Sequence, residues 1–271
     1  MTVGWLVGVG GVTLLGPEAL RVPATQFSDA VIAGIGTNVV AYARKGAGSG
    51  LQKPGDIVKA GTVKLGGLRA TSTNDLSGRL SLHLLGVKHD YVLGYKSGAE
   101  MNAALLRGEI DVVVTPADSY LARIDATTIK EGHAVPLWYF AAENAEGKPV
   151  RHEALEAAGV RPFQEVYREI TGKAPSSVEW RALQWINEWQ TKEIWFVTAV
   201  PGTPADRLAV LRESFWKAVE DSEYRAAAQK SAGAVPTFNR PKETMDSLAQ
   251  AEKIDDELGK VLTKLIAEGQ R

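Results

Sequence analysis

The chain has no cysteine among its 271 residues, which excludes disulfides, thiolate metal sites and a cysteine nucleophile but does not separate one compartment from another. It also lacks net charge: 31 Lys and Arg stand against 32 Asp and Glu, for a formal charge of -1. Nucleic acid and anionic membrane surfaces therefore lose their usual electrostatic warrant. Long apolar runs are missing too. The opening MTVGWLVGVGGVTLLG carries no basic segment before its apolar residues and reads as a buried strand running into glycines, neither a signal peptide nor a membrane span.

Several chemistries are absent by motif. The four histidines, His83, His89, His133 and His152, have no metal-ligand spacing, and neither a GxSxG elbow nor a Walker phosphate loop occurs. GAGSG at Gly46 to Gly50 lacks the third glycine of a dinucleotide loop at the right offset and reads as a connector. Glu109 and Asp111 alternate along a strand pattern and so point to opposite faces. Neither a metal nor a cofactor is expected, and nothing argues for an enzyme. A hydrolase would need Ser72 or Ser77 activated by a histidine, and His83 lies too far along the same helix to serve.

What is present is a core and an alternation. With 45% hydrophobic residues the chain can bury the core of one large domain or of two lobes. Apolar runs at Val3 to Val9, Ala30 to Ile35, Val39 to Ala43, Val63 to Leu65, Asp90 to Leu93 and Ile110 to Val114 predict buried strands. Helical patterns at Pro54 to Ala60, Asp75 to Leu85 and Gly98 to Arg107 lie between them, which predicts an α/β fold with mostly parallel sheets flanked by helices. Further on, AVPLWYFAA is strand-like, a helix is expected around Glu165 to Glu169, and SSVEWRALQWINEW is helical, with Trp185 and Trp189 on a packed face. In IWFVTAVPGTPADRL a strand gives way to a turn, and Thr203, Pro204 and Asp206 predict a capped helix start over a core face of Leu208, Leu211, Phe215 and Val219. A short strand in AVPTF and one long helix from Lys242 to about Ala267 complete the pattern.

The densest polar feature stands before a helix. Five of the seven residues from Ala70 to Leu76 are Thr, Ser, Asn or Asp. Ser72 with Asp75 makes a capping box. A helix start after a sheet strand also offers free N–H groups and partial positive charge to a carboxylate, with Thr71, Thr73 and Asn74 as added donors. Tyr95, Lys96, Ser97 and Gly98 repeat this architecture after the next strand, and Thr115 and Asp118 follow a third. Three successive polar strand ends predict a lined cleft for a small molecule.

The segments KLGG, STNDLSGRLSLHLLGVKHDYVLGYKSGAEMNAALLRGEIDVVVTPADSYLARI and AVPGTPADRLAVLRESFWKAVEDSEYRAAAQKSAGAVP resemble the substrate-binding proteins of the tripartite tricarboxylate transporter family. The resemblance implies a two-lobed, type II periplasmic-binding-protein-like fold. Its first lobe would be residues 1–42 plus 194–271, its second residues 43–193. It also implies a periplasmic, monomeric, non-catalytic protein that catches a small organic carboxylate between the lobes and hands it to membrane transporter subunits. Ser72 matches a family serine at the ligand-binding helix start, and Tyr95 and Lys96 match a Tyr-Lys pair. The Gly-Ser that follows in the family is reversed here as Ser97 and Gly98, and Thr115 replaces a common Asp. Gly10 and Gly11 would close over the ligand from the first lobe. Members carry a signal peptide and a strand-helix-strand unit before the segment that Met1 resembles, so the expectation is a chain truncated relative to the family, with an incomplete first lobe. A cytosolic small-molecule-sensing domain and a remnant that binds nothing stay open as alternatives.

Overall fold

A computed structural model describes residues 3–7, 29–251 and 254–270 of the chain. Its strands are β1 (Val3–Val7), β2 (Val31–Gly36), β3 (Val39–Arg44), β4 (Val63–Gly66), β5 (His89–Val92), β6 (Val112–Pro116), β7 (Ala134–Phe140), β8 (Trp195–Ala199) and β9 (Thr237–Asn239). They form two sheets, a four-stranded one ordered β1-β8-β2-β9 and a five-stranded one ordered β5-β4-β6-β3-β7. The helices are α1 (Thr73–Leu84), α2 (Gly98–Leu106), α3 (Ala117–Ser119, continuing as a π-helix over Tyr120–Ile129), α4 (Glu153–Ala157), α5 (Phe163–Thr171), α6 (Val178–Glu193), α7 (Ala205–Glu220), α8 (Ser222–Ala232), α9 (Pro241–Ala251) and α10 (Asp256–Gly269).

The α/β alternation is there, but parallel pairing is narrower than expected. Among the described residues only β4 with β5 and β4 with β6 run parallel, joined through α1 and α2, whereas β3 pairs antiparallel with both β6 and β7. The four-stranded sheet is antiparallel throughout. The physical reason is the chain path: β3 enters from the other sheet and runs against the helix-connected strands.

Period-two alternation decides where β3 and β6 put their side chains. Val39, Ala41, Ala43, Val112 and Val114 join one core cluster with Leu76, Leu80, Trp138, Phe163 and Ile186. Val40, Tyr42 and Val113 join another with Met101, Tyr120 and Leu155. Both faces are covered by helices, which is why these strands are apolar at nearly every position rather than at every second one. A third cluster on the other sheet gathers Ile32, Ile35, Val197 and Leu208, each fully buried aliphatic side chain contributing about 1.5–3 kcal/mol over its exposed state.

The chain changes sheets between Gly36 and Val39, and again at Ile194 between α6 and β8. Gly36 is required at the first change because a Cβ there would run into the Thr191 carbonyl oxygen of α6. The expected lobe boundary after residue 42 thus falls inside β3. The C-terminal helix differs from the expected division as well: Leu258, Leu262 and Ile266 of α10 pack into the core of the five-stranded sheet, beside α6 and α1. The amphipathic pattern of that helix does not say which sheet it will cover.

Local punctuation corrects three further expectations. The single long helix from Lys242 is two, because Asp255 accepts the Leu258 N–H at 2.9 Å and starts a new helix at Asp256. Thr203 does not cap α7: its hydroxyl turns back to the Val200 carbonyl at 2.6 Å, and the helix starts after Pro204. Pro54–Lys59 is a tighter 3-10 helix.

Candidate functional site

The loop between β4 and α1 is held from beneath. Asp75, nearly inaccessible at 2% exposure, accepts the Leu68 N–H at 2.7 Å, the Arg69 N–H at 3.0 Å and the Tyr91 hydroxyl at 2.7 Å, all on Oδ2. Burial pushes its carboxyl above the usual range, while the Tyr91 hydroxyl, the two amides and, least of all, the Ser72 hydroxyl pull it back down. The expected capping box is therefore not formed. Asp75 is committed to the loop, and the Ser72 side chain makes no cap bond although Ser72 stands at the N-cap. Gly67 fits because a Cβ there would strike the Tyr91 ring.

Helix α2 opens differently. Ser97 accepts the Glu100 N–H at 3.2 Å, and Glu100 accepts the Lys96 N–H at 2.8 Å. Ser97 and Glu100, rather than Ser72 and Asp75, are the capping pair of this region, and their spacing is visible in the sequence.

Both helix starts border one cavity of about 450 Å³. The first loop contributes Leu68, Arg69 and Thr71 to Asn74, and the start of α2 contributes Ser97, Gly98, Ala99, Met101 and Asn102. The end of β6 adds Val114 to Pro116, while Ser119, Arg123, Ile124 and Thr127 come from α3 and its π-helix. Ile194 and Trp195 close the wall at the second sheet change.

Of the residues expected to bind ligand, Thr71, Ser72, Thr73, Asn74, Ser97 and Thr115 therefore share one wall. Tyr95 and Lys96 do not line it: Tyr95 packs against the core cluster of Met101 and Tyr120, and Lys96 is exposed. Asp118 faces a second cavity of about 500 Å³ with Asn38, Glu143 and Lys192. Gly10 and Gly11 lie outside the described residues.

Sequence reasoning missed Arg69, Asn102, Ser119, Arg123, Thr127 and Trp195. Ser119, Arg123 and Thr127 recur every fourth residue, a spacing that puts them along one side of a helix. Asn102 is fixed by the Tyr42 hydroxyl, which donates to its Oδ1 at 3.1 Å, and donates in turn to Thr128 Oγ1 at 3.1 Å. Burial pushes the Tyr42 hydroxyl far up, so it serves as a donor throughout the ordinary pH range.

The electrostatics of the wall are one-sided. Among the described residues two arginines and no Asp or Glu line it, and neither arginine joins an ion pair among them. Two helix starts add partial positive charge. Ser77, by contrast, is buried and donates to Gln190 Oε1 at 3.3 Å, so its partner is an amide and not a histidine.

No protein-family model matches the sequence, and no curated protein matches it. Several solved structures are similar. An adipate-bound protein of R. palustris is similar over 98% of this chain and 77% of its own, with 16% identity and a TM-score of 0.66. The periplasmic binding protein BugD is similar over 97% and 77%, with 14% identity and a TM-score of 0.68. MatC from Rhodopseudomonas palustris, with bound malate, is similar over 99% and 76%, with 17% identity and a TM-score of 0.57. At these identities the likeness is one of fold, and the chain has the two-lobed α/β fold of these binding proteins.

Proposed function

We propose that the chain is a solute-binding protein that captures a small organic carboxylate in the cavity at the starts of α1 and α2. The observation that carries this reading is the wall itself: among the described residues it has two helix starts, two arginines outside any ion pair and several hydroxyls, with no acidic side chain. Such a site meets an anion without rearranging the helix start itself, because the N–H groups there already point outward. Thr71 to Asn74 and Thr115 are the proposed contacts, and Ser97 borders them as the cap of α2. The adipate and malate in the similar structures support the ligand class.

The two sheets are proposed to belong to lobes that close about the sheet changes at residues 37–38 and at Ile194. Closure removes water and strengthens each hydrogen bond to the anion. A periplasmic location and delivery to a tripartite tricarboxylate-type transporter are part of the same proposal, and catalysis is not.

Thermal unfolding with and without millimolar di- and tricarboxylates, aromatic acids and amino acids tests it. A ligand at about 100 times its dissociation constant adds roughly 2.7 kcal/mol. A shift with one acid class supports the reading, and a sharp transition that no acid moves contradicts it.

A further inference from the structure

We infer that Arg123 selects solutes carrying a second anionic group, an inference that rests on the proposed carboxylate site. Arg123 reaches the cavity from the π-helix, a different element from the two helix starts, and Ser119 and Thr127 line the same wall four residues to either side. The Thr127 hydroxyl donates to the Arg123 carbonyl at 2.8 Å, tying that turn together. The acid nearest in sequence, Asp125, is already engaged by Lys130 at 2.8 Å. Among the described residues Arg123 forms no ion pair, and it lines the cavity.

The consequence is a charge rule. One carboxylate on the helix starts leaves the Arg123 guanidinium unmatched when water is expelled, and a second carboxylate accepts two parallel N–H bonds from it. An α-amino acid fares worse, since its ammonium finds no carboxylate among the described residues of the wall. Arg69 does not duplicate the role, because it belongs to the same loop as Ser72.

The test compares straight-chain dicarboxylates from malonate to adipate with monocarboxylates of the same carbon number, by calorimetry, on the unaltered chain and on Arg123→Gln. Arg123 is exposed, and an unchanged melt without ligand verifies that the variant folds. The expected result is that the best diacid binds roughly tenfold or more tighter than its monoacid, and that Arg123→Gln erases this preference by weakening the diacid far more than the monoacid. Equal weakening of both acids, or of neither, overturns the selectivity role while leaving the carboxylate site standing. Absence of binding by every acid sinks both.

Discussion

Gln190 of α6 donates through Nε2 to Asn74 Oδ1 at 3.0 Å, and its main-chain carbonyl accepts the Thr37 N–H at 2.9 Å. One residue therefore touches the proposed ligand wall and the first sheet change together. Replacing it with alanine leaves buried Ser77 and half-buried Asn74 without their partner, at about 1–3 kcal/mol. The expected outcome is a lower melting temperature and weaker acid binding, with Asn74→Ala reproducing the second effect. Unchanged affinity in Gln190→Ala contradicts the positioning role.

Ser72 and Ser97 separate ligand contact from capping. Ser97 caps α2 and Ser72 makes no cap bond. Ser97→Ala is expected to cost about 1 kcal/mol of stability, whereas Ser72→Ala lowers stability by less and weakens acid binding. Chemical denaturation and calorimetry on the two variants check the contrast.

Tyr91→Phe removes one of three donors to the buried Asp75 carboxylate. A loss of about 1–3 kcal/mol is expected, together with faster amide exchange at Leu68 and Arg69. Exchange unchanged at both amides argues that the loop is held by other contacts.

Glu193 gives the fold a pH dependence. It is buried at the end of α6, and burial pushes its carboxyl from 4.5 up to about 8, with Glu243 adding to the rise and Ser247 and Lys192 opposing it. Between those values the unfolded chain gives up a proton that the folded chain keeps, so stability falls as pH rises, by up to about 1.4 kcal/mol per pH unit. Below the ordinary carboxylate range this penalty is absent, and above the raised value it is complete. Denaturation midpoints across that window are expected to fall in the unaltered chain and to flatten in Glu193→Gln.

The strands were legible because Val, Ile and Ala fill β2, β3 and β6 so densely that only burial on both faces accounts for them. Pairing direction was not, since β3 owes its antiparallel neighbours to arrival from the other sheet. The polar loop at Thr71 to Asn74 was visible as composition. The role of Asp75 was hidden because Tyr91, Leu68 and Arg69 reach it only after β4 and β5 pair. Arg123 escaped notice because a π-helix has no distinct hydrophobic period to mark it, and its hydroxyl neighbours look like an ordinary solvated face.

Direct calorimetric titration of the chain with a straight-chain dicarboxylate and with its uncharged diamide tests the central claim. The account predicts saturable binding of the acid at one site, weakened by added salt, and none by the diamide. Equal binding of the two, or no binding by any dicarboxylate, contradicts an anion site at the helix starts.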